Sequence, residues 1–101
     1  MNSLWQRIQS SFDRQSFLKL LEARLKEVES GSVAISCRRK PELTQQQGFL
    51  HGGVVTTIAD VTCGYSALTV IPEGQEVLTA ECKINLLRPV TGETILANGR
   101  V

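Results

Sequence analysis

A long apolar segment with a single charge constrains the fold of this chain most. Residues 54–71 carry no charged side chain except Asp60, and the pair Gly52-Gly53 directly precedes them. The segment is rich in Val, Thr and Ile, which favour strands. Strands average about 5–6 residues, however, and no proline interrupts this segment before Pro72. Its length therefore favours a helix, which we predict over residues 53–70.

The carboxylate of Asp60 lies about two turns inside this predicted helix. An ionised side chain is rarely placed on an apolar helix without a partner or a function. Asp60 is therefore either a structural residue bonded to a backbone group or a cation, or a residue that carries chemistry. A charge at the middle of a membrane span would cost about 2.5–3.5 kcal/mol. We therefore expect a packed helix of a soluble protein, with no membrane partner.

Hydrophobic periodicity predicts the elements on either side of the central helix. Leu4, Ile8 and Phe12 form a helical stripe, and residues 17–21 continue apolar spacing as a short second helix. Strands are predicted at residues 23–28 and 33–37, at 77–86 as the longest strand, and at 95–101, with turns between them. This order predicts one α+β domain over residues 1–101, in which an antiparallel sheet wraps around one long central helix.

Charge and cysteine content exclude several classes of function. The formal net charge of +1 argues against a nucleic-acid partner bound through a basic field. The three cysteines, Cys37, Cys63 and Cys82, form no CxxC pair, and the chain has one histidine, so no metal site is predicted. We interpret the cysteines as small buried thiols of a cytoplasmic protein.

Three sequence features occur together in this chain. They are Gly48-x-x-His51-Gly52-Gly53, then Asp60 seven residues after the last glycine, then a predicted strand followed by Arg88-Pro89-Val90-Thr91-Gly92-Glu93. Together they resemble the hotdog-fold thioesterases, most closely the phenylacetic-acid-degradation (PaaI-like) family. The resemblance covers about residues 12–101. It implies hydrolysis of an acyl-coenzyme A substrate without a metal or redox cofactor. It also implies a homodimer or homotetramer with active sites shared between subunits.

The resemblance further implies strands after the last residue given, so we expect the chain to be truncated before the last strands of the sheet. A sheet ending at residue 101 would leave an open edge.

The resemblance assigns roles to individual residues. Asp60 would act as general base or as nucleophile. The backbone N–H groups of Gly52 and Gly53, at the helix N-terminus, would hold the oxyanion. Gln45 stands where relatives often carry an Asn, one methylene shorter, that orients the attacking water or binds the carbonyl, and Gln47 could compete for this role. Thr79 would help to orient the water. Gln45 and Thr79 also fit an ordinary loop position and an ordinary strand position.

Substrate contacts are predicted for three further residues, His51, Gln47 and Arg88. His51 serves either to hold the loop before the helix or to contact substrate. Arg88 and the triplet Arg38-Arg39-Lys40 are candidates for the coenzyme A phosphates. The alternative function is a noncatalytic acyl-CoA-binding module, which would not need Asp60 for turnover. A hotdog hydratase fits least, because it would use a histidine on a different motif spacing.

Overall fold

A three-stranded antiparallel sheet packs against one long helix in the computed structural model of the protein, which describes residues 3–101. The elements in chain order are α1 (Ser3–Asp13), α2 (Ser16–Leu21), β1 (Arg24–Glu29), β2 (Ser32–Arg38), a 3-10 turn (Pro41–Leu43), α3 (Gly52–Leu68) and β3 (Thr94–Arg100). The predicted helices and three of the four predicted strands are therefore confirmed, with bounds shifted by one or two residues.

Strand β2 lies at the centre of the sheet, between β1 and β3. Val33, Ile35 and Cys37 alternate along it and are buried, as the period of two predicts. Across the ladder, Val33 faces Gly99 and Ile35 faces Ala97. The register therefore turns the apolar face of the central strand toward α3.

Helix α3 lies against β2 and β3 through a face that contains both apolar and hydroxyl side chains. Ile58, Thr62 and Ser66 are fully or almost fully buried there. The hydroxyls of Thr62 and Ser66 donate to the carbonyls four residues earlier, at 2.6 and 2.8 Å, so their burial leaves no polar group unpaired. Ser66 Oγ also accepts from the Val33 N–H at 3.1 Å, which fastens the helix to the sheet.

Helix α3 and strand β3 approach each other closely at Gly99. A Cβ built on Gly99 would lie 2.6 Å from Ser66 Oγ and 2.8 Å from the Thr62 carbonyl oxygen. Only glycine leaves room for the helix backbone at this point of β3. The buried side chains Ile8 and Phe12 of α1 complete the core, as the helical stripe predicts.

The prediction of a long strand at residues 77–86 is wrong. No strand is present over residues 75–93, and Leu78 and Leu87 are 93% and 88% exposed. An alternating pattern becomes a strand only when a neighbour takes up its backbone hydrogen bonds. Within the described residues the sheet consists of β1, β2 and β3 alone, and residues 77–86 pair with none of them.

The prediction that all three cysteines are buried is also wrong. Cys37 is buried in β2, where its thiol donates to the Leu21 carbonyl at 3.4 Å and burial raises its pKa. Cys63 is exposed because it lies outside the sheet-facing side of α3, and Cys82 is exposed in the segment that forms no strand. Within residues 3–101, no helix is both long and apolar enough to cross a bilayer.

Candidate active site

The carboxylate of Asp60 meets a hydroxyl from the segment that follows the helix. Thr79 Oγ1 donates to Asp60 Oδ1 at 2.6 Å, which joins two residues that the sequence singled out nineteen positions apart. No lysine or arginine of residues 3–101 forms an ion pair with Asp60. The second carboxylate oxygen accepts no hydrogen bond from the described residues. Asp60 therefore keeps one oxygen able to accept a proton from a bound water.

Two cavities adjoin this carboxylate. One, of about 380 Å³, lies between α1, α3 and residues 76–79, and the other, of about 620 Å³, lies between α3 and residues 77–84. Asp60 and Thr79 line both. A ligand in either cavity would reach the carboxylate and the hydroxyl together.

The N-terminus of α3 is capped by His51. Its Nδ1 accepts from the Gly53 N–H at 2.8 Å, which satisfies one of the free donors at the start of the helix. The N–H of Gly52 has no acceptor among the described residues. Of the two predicted oxyanion donors, Gly52 is thus available to a ligand, whereas Gly53 is engaged by the cap. This cap is compatible with the loop-holding alternative for His51, and its contact with substrate stays a prediction.

A third cavity, of about 410 Å³, lies in front of this helix start. It is lined by four residues of the predicted site, namely Gln45, Gln47, Gly52 and Arg88. Apolar side chains such as Leu50 and Val55 form much of the remaining wall. An apolar wall with a free N–H and one cation suits a ligand that has both a thioester and a charged part.

The side chain of Gln45 holds the loop before α3. Its Oε1 accepts from the N–H groups of Gln47 and Phe49, at 2.7 and 3.1 Å, and its Nε2 donates to Gln47 Oε1 at 3.0 Å. A glutamine side chain is one methylene longer than that of asparagine, which lets this amide fold back onto its own loop. Both ends of this amide are therefore occupied, and Gln45 supports the loop more directly than it could hold a water.

Two side chains of the triplet Arg38-Arg39-Lys40 form hydrogen bonds within the fold. Arg39 donates to the carbonyls of Thr91 and Gly48, at 3.3 and 2.7 Å. Lys40 donates to the Leu20 carbonyl at 3.1 Å and lies 3.7 Å from Glu22. Arg38 is exposed. Arg38 and Arg88 are therefore the better candidates for phosphate contacts.

The structure does not bring Asp60 and Gly52 together within one chain. Asp60 follows Gly52 by eight residues on the same helix, which separates them by about 12 Å along its axis. The cavity at Gly52 shares no lining residue with the two cavities at Asp60. One copy of the chain thus holds the carboxylate and the free N–H at two separate places.

Sequence reasoning missed three polar residues beside Asp60. Ser11, Gln15 and Tyr65 line the 380 Å³ cavity. Tyr65 stands five residues after Asp60 on the same helix, a spacing that does not place two side chains on one face, so no sequence signal indicated it. Ser11 and Gln15 come from α1 and the α1–α2 junction, so only the packing of α1 on α3 reveals them.

Within residues 3–101, no three His, Cys, Asp or Glu side chains converge on a possible metal site. The absence of a cofactor stays a prediction.

Comparisons with known proteins place this architecture among the thioesterases. The sequence profile described as "Thioesterase superfamily" matches residues 47–101. A thioesterase family protein of Silicibacter pomeroyi has a similar crystal structure, with a TM-score of 0.91, 39% identity, and coverage of 94% of this chain and 70% of that one. The E. coli PaaI protein from the phenylacetic acid degradation operon shares the fold at a TM-score of 0.83 and 20% identity, over 94% of this chain and 67% of that one.

A protein of Saccharolobus solfataricus named as an esterase is 34% identical over 83 residues, which are 82% of this chain. Those residues make up 59% of that protein, so the match spans less than two thirds of its length. The structural likenesses confirm the predicted hotdog fold.

Proposed function

The chain belongs to the Thioesterase superfamily, and from this premise we propose that the protein hydrolyses an acyl-coenzyme A thioester to a free acid and coenzyme A. The observation that carries the proposal is the pairing of Asp60 with Thr79 on a helix whose first N–H, at Gly52, is free. A carboxylate can activate the attacking water, and an N–H donor can hold the oxyanion that forms in thioester hydrolysis.

The chemistry assigned to Asp60 is activation of water. The water oxygen adds to the thioester carbonyl carbon while the carboxylate takes one of its protons. The C–S bond then breaks, and the thiolate leaves with that proton. Direct attack by Asp60 on the same carbon, followed by hydrolysis of the anhydride, uses the same residue. In both routes the hydrogen bond from Thr79 orients the carboxylate.

The oxyanion of the tetrahedral intermediate is assigned to the Gly52 N–H. A donor must lie about 2.7–3.1 Å from that oxygen to stabilise it. A carboxylate about 12 Å away along the helix axis cannot act on the same carbonyl. We therefore propose that Asp60 of one subunit works with Gly52 of another. A two-fold axis then produces two equal sites, in a dimer or in a tetramer of two such dimers.

The cavity at Gly52 is proposed to receive the coenzyme A side of the substrate. Arg88 supplies a cation for phosphate, and Gln47 lies on the same wall. The proposal needs no metal or redox cofactor and no nucleic-acid partner. Free thiols at Cys37, Cys63 and Cys82 fit a reducing compartment, so a cytoplasmic location forms part of the proposal.

The test is thiol release from a panel of acyl-CoAs by the wild-type protein, Asp60→Asn and Asp13→Asn. Asparagine keeps the shape of Asp60 and can still accept from Thr79, but it cannot take a proton. We expect Asp60→Asn to lower kcat by about 10²–10⁴-fold. Asp13→Asn removes an exposed carboxylate of α1 that, among residues 3–101, accepts a hydrogen bond from Gln9, and it should leave turnover unchanged.

Equal kcat for Asp60→Asn and Asp13→Asn would remove Asp60 from the mechanism. Saturable acyl-CoA binding without turnover by the wild-type protein would overturn the hydrolase proposal and indicate the noncatalytic binding module.

A further inference from the structure

A cluster of hydrogen-bonding side chains forms one wall of the 380 Å³ cavity at Asp60. The Tyr65 hydroxyl lies 3.0 Å from Ser11 Oγ and accepts from Gln15 Nε2 at 2.7 Å. Tyr65 itself is only 5% exposed. The three residues belong to α3, α1 and the α1–α2 junction, so the cluster exists only because these elements pack together.

Counting protons in this cluster leaves one donor unused. Tyr65 and Ser11 each carry one hydroxyl proton, and the single bond between them uses one of the two, whichever residue donates. Gln15 uses its own N–H to reach Tyr65, so it does not accept the second proton through that bond. Neither hydroxyl has a further acceptor among residues 3–101, so one O–H group at the cavity wall is available to an acceptor on a ligand.

The charges around the same cavity are all of one sign. Asp60 and Glu76 line it, and no lysine, arginine or histidine does. Its other walls include apolar side chains, among them Val61 and Leu68. A ligand carboxylate in this space would face two carboxylates without a counter-ion, whereas a neutral polar group would find the hydroxyl donor.

We propose that this cavity receives the distal end of the acyl group, and that Ser11, Gln15 and Tyr65 select acyl chains with a neutral hydrogen-bonding group, such as a hydroxyl, at that end. The inference rests on the proposed thioesterase function and names its substrate class. The reacting carbonyl then lies at Asp60, and the chain runs between α1 and α3. The larger cavity also adjoins Asp60 but has a predominantly apolar lining, so it would favour plain hydrocarbon chains.

A single substitution isolates the hydroxyl from the rest of Tyr65. The ring packs beside Phe12, with centroids 6.2 Å apart, and Tyr65→Phe keeps that ring in place. Thr62→Val is the matched control. It removes a buried hydroxyl of the same helix, which bonds to the Ile58 carbonyl at the sheet-facing side and lines none of the three cavities described.

The experiment compares kcat/KM for straight-chain acyl-CoAs of matched length that end in methyl, hydroxymethyl or carboxylate. We expect the wild-type protein to prefer the hydroxymethyl chain at one length and to disfavour the carboxylate. Tyr65→Phe should lower the hydroxymethyl-to-methyl preference by roughly five- to tenfold, the loss of one neutral hydrogen bond. Thr62→Val should leave that ratio unchanged.

Binding gives a second readout that does not depend on turnover. In the Asp60→Asn background, Tyr65→Phe should weaken calorimetric binding of the hydroxymethyl acyl-CoA by the same factor and leave the methyl analogue unaffected.

If the protein hydrolyses acyl-CoAs but Tyr65→Phe leaves the hydroxymethyl-to-methyl ratio of kcat/KM unchanged, this inference alone is overturned. A preference of the wild-type protein for methyl or carboxylate chains would also overturn this inference alone. No hydrolysis of any acyl-CoA would overturn the proposed function. In that case, equal binding of the two analogues would overturn the selectivity as well.

Discussion

Replacing Gly52 by proline would remove one backbone N–H while leaving the start of α3 intact. Gly52 is the first helical residue, a position at which proline is well tolerated. The preceding residue, His51, has φ −61° and ψ 134°, the extended conformation that a residue before proline adopts. The helix can therefore begin at a proline in this position as it begins at the glycine.

The structure indicates a small effect on stability and a large effect on rate. The Gly52 N–H bonds to no described residue, so its loss breaks no hydrogen bond of the fold. An added Cβ would lie 3.0 Å from Cδ1 of Leu86, whose side chain is 60% exposed and can move away. We expect the free energy of unfolding to change by less than about 0.5 kcal/mol. Loss of one oxyanion donor should lower kcat by about 10²–10³-fold, or about 2.7–4 kcal/mol of transition-state stabilisation.

The assay is thiol release at saturating acyl-CoA, with thermal unfolding followed by circular dichroism on the same samples. Gly52→Ala is the matched control, because it adds the same Cβ beside Leu86 but retains the N–H. Folded Gly52→Pro protein with a kcat within about threefold of Gly52→Ala would refute the oxyanion assignment. Loss of folding in Gly52→Pro alone would refute the reasoning about the helix start.

Two further predictions test the shared site and the packing of the helix. Co-assembly of the Asp60→Asn and Gly52→Pro variants should restore about a quarter of wild-type turnover. Half of randomly assorted dimers contain one subunit of each variant, and each such dimer has one of its two sites intact. Turnover no higher than that of the separate variants would contradict a site built from two subunits. Gly99→Ala should lower the free energy of unfolding by about 3 kcal/mol and the Tm by about 10–20 °C, because its Cβ meets the Thr62 carbonyl. Gly64→Ala, whose Cβ meets no atom within 4 Å, should instead raise stability by about 0.5–1 kcal/mol; equal Tm values for the two alanine variants would contradict the packing argument.

Hydrophobic periodicity predicted the elements correctly where the apolar residues of the repeat are the ones buried in the structure. The stripe of Ile8 and Phe12 predicted α1, and the alternation of Val33, Ile35 and Cys37 predicted β2. Length alone chose helix over strand for α3, against the β-branched composition. The hydroxyl groups of that helix cause no conflict, because they bond to carbonyls of their own helix.

The same pattern failed at residues 77–86. Alternation there is as regular as in β2, yet the segment forms no strand, because pairing depends on a neighbour that sequence periodicity does not specify. Cys82, which was predicted to be buried as a free thiol, lies in that segment and is exposed. Periodicity indicates which side chains could share a face of a strand. It does not indicate whether a neighbouring strand is present to form hydrogen bonds with its backbone.

By itself, the sequence determined the family, the central helix and the candidate residues Asp60, Gly52 and Thr79, because short motifs and hydrophobic spacing are local properties of a chain. Only the tertiary structure decided how those residues are grouped. In the structure, Thr79 forms a hydrogen bond with Asp60, and the Gly53 N–H donates to His51. The Tyr65 hydroxyl is hydrogen-bonded to Ser11 and Gln15. Hydrogen bonds between distant segments depend on how the helices and loops pack, and that packing follows from the core as a whole rather than from any one motif.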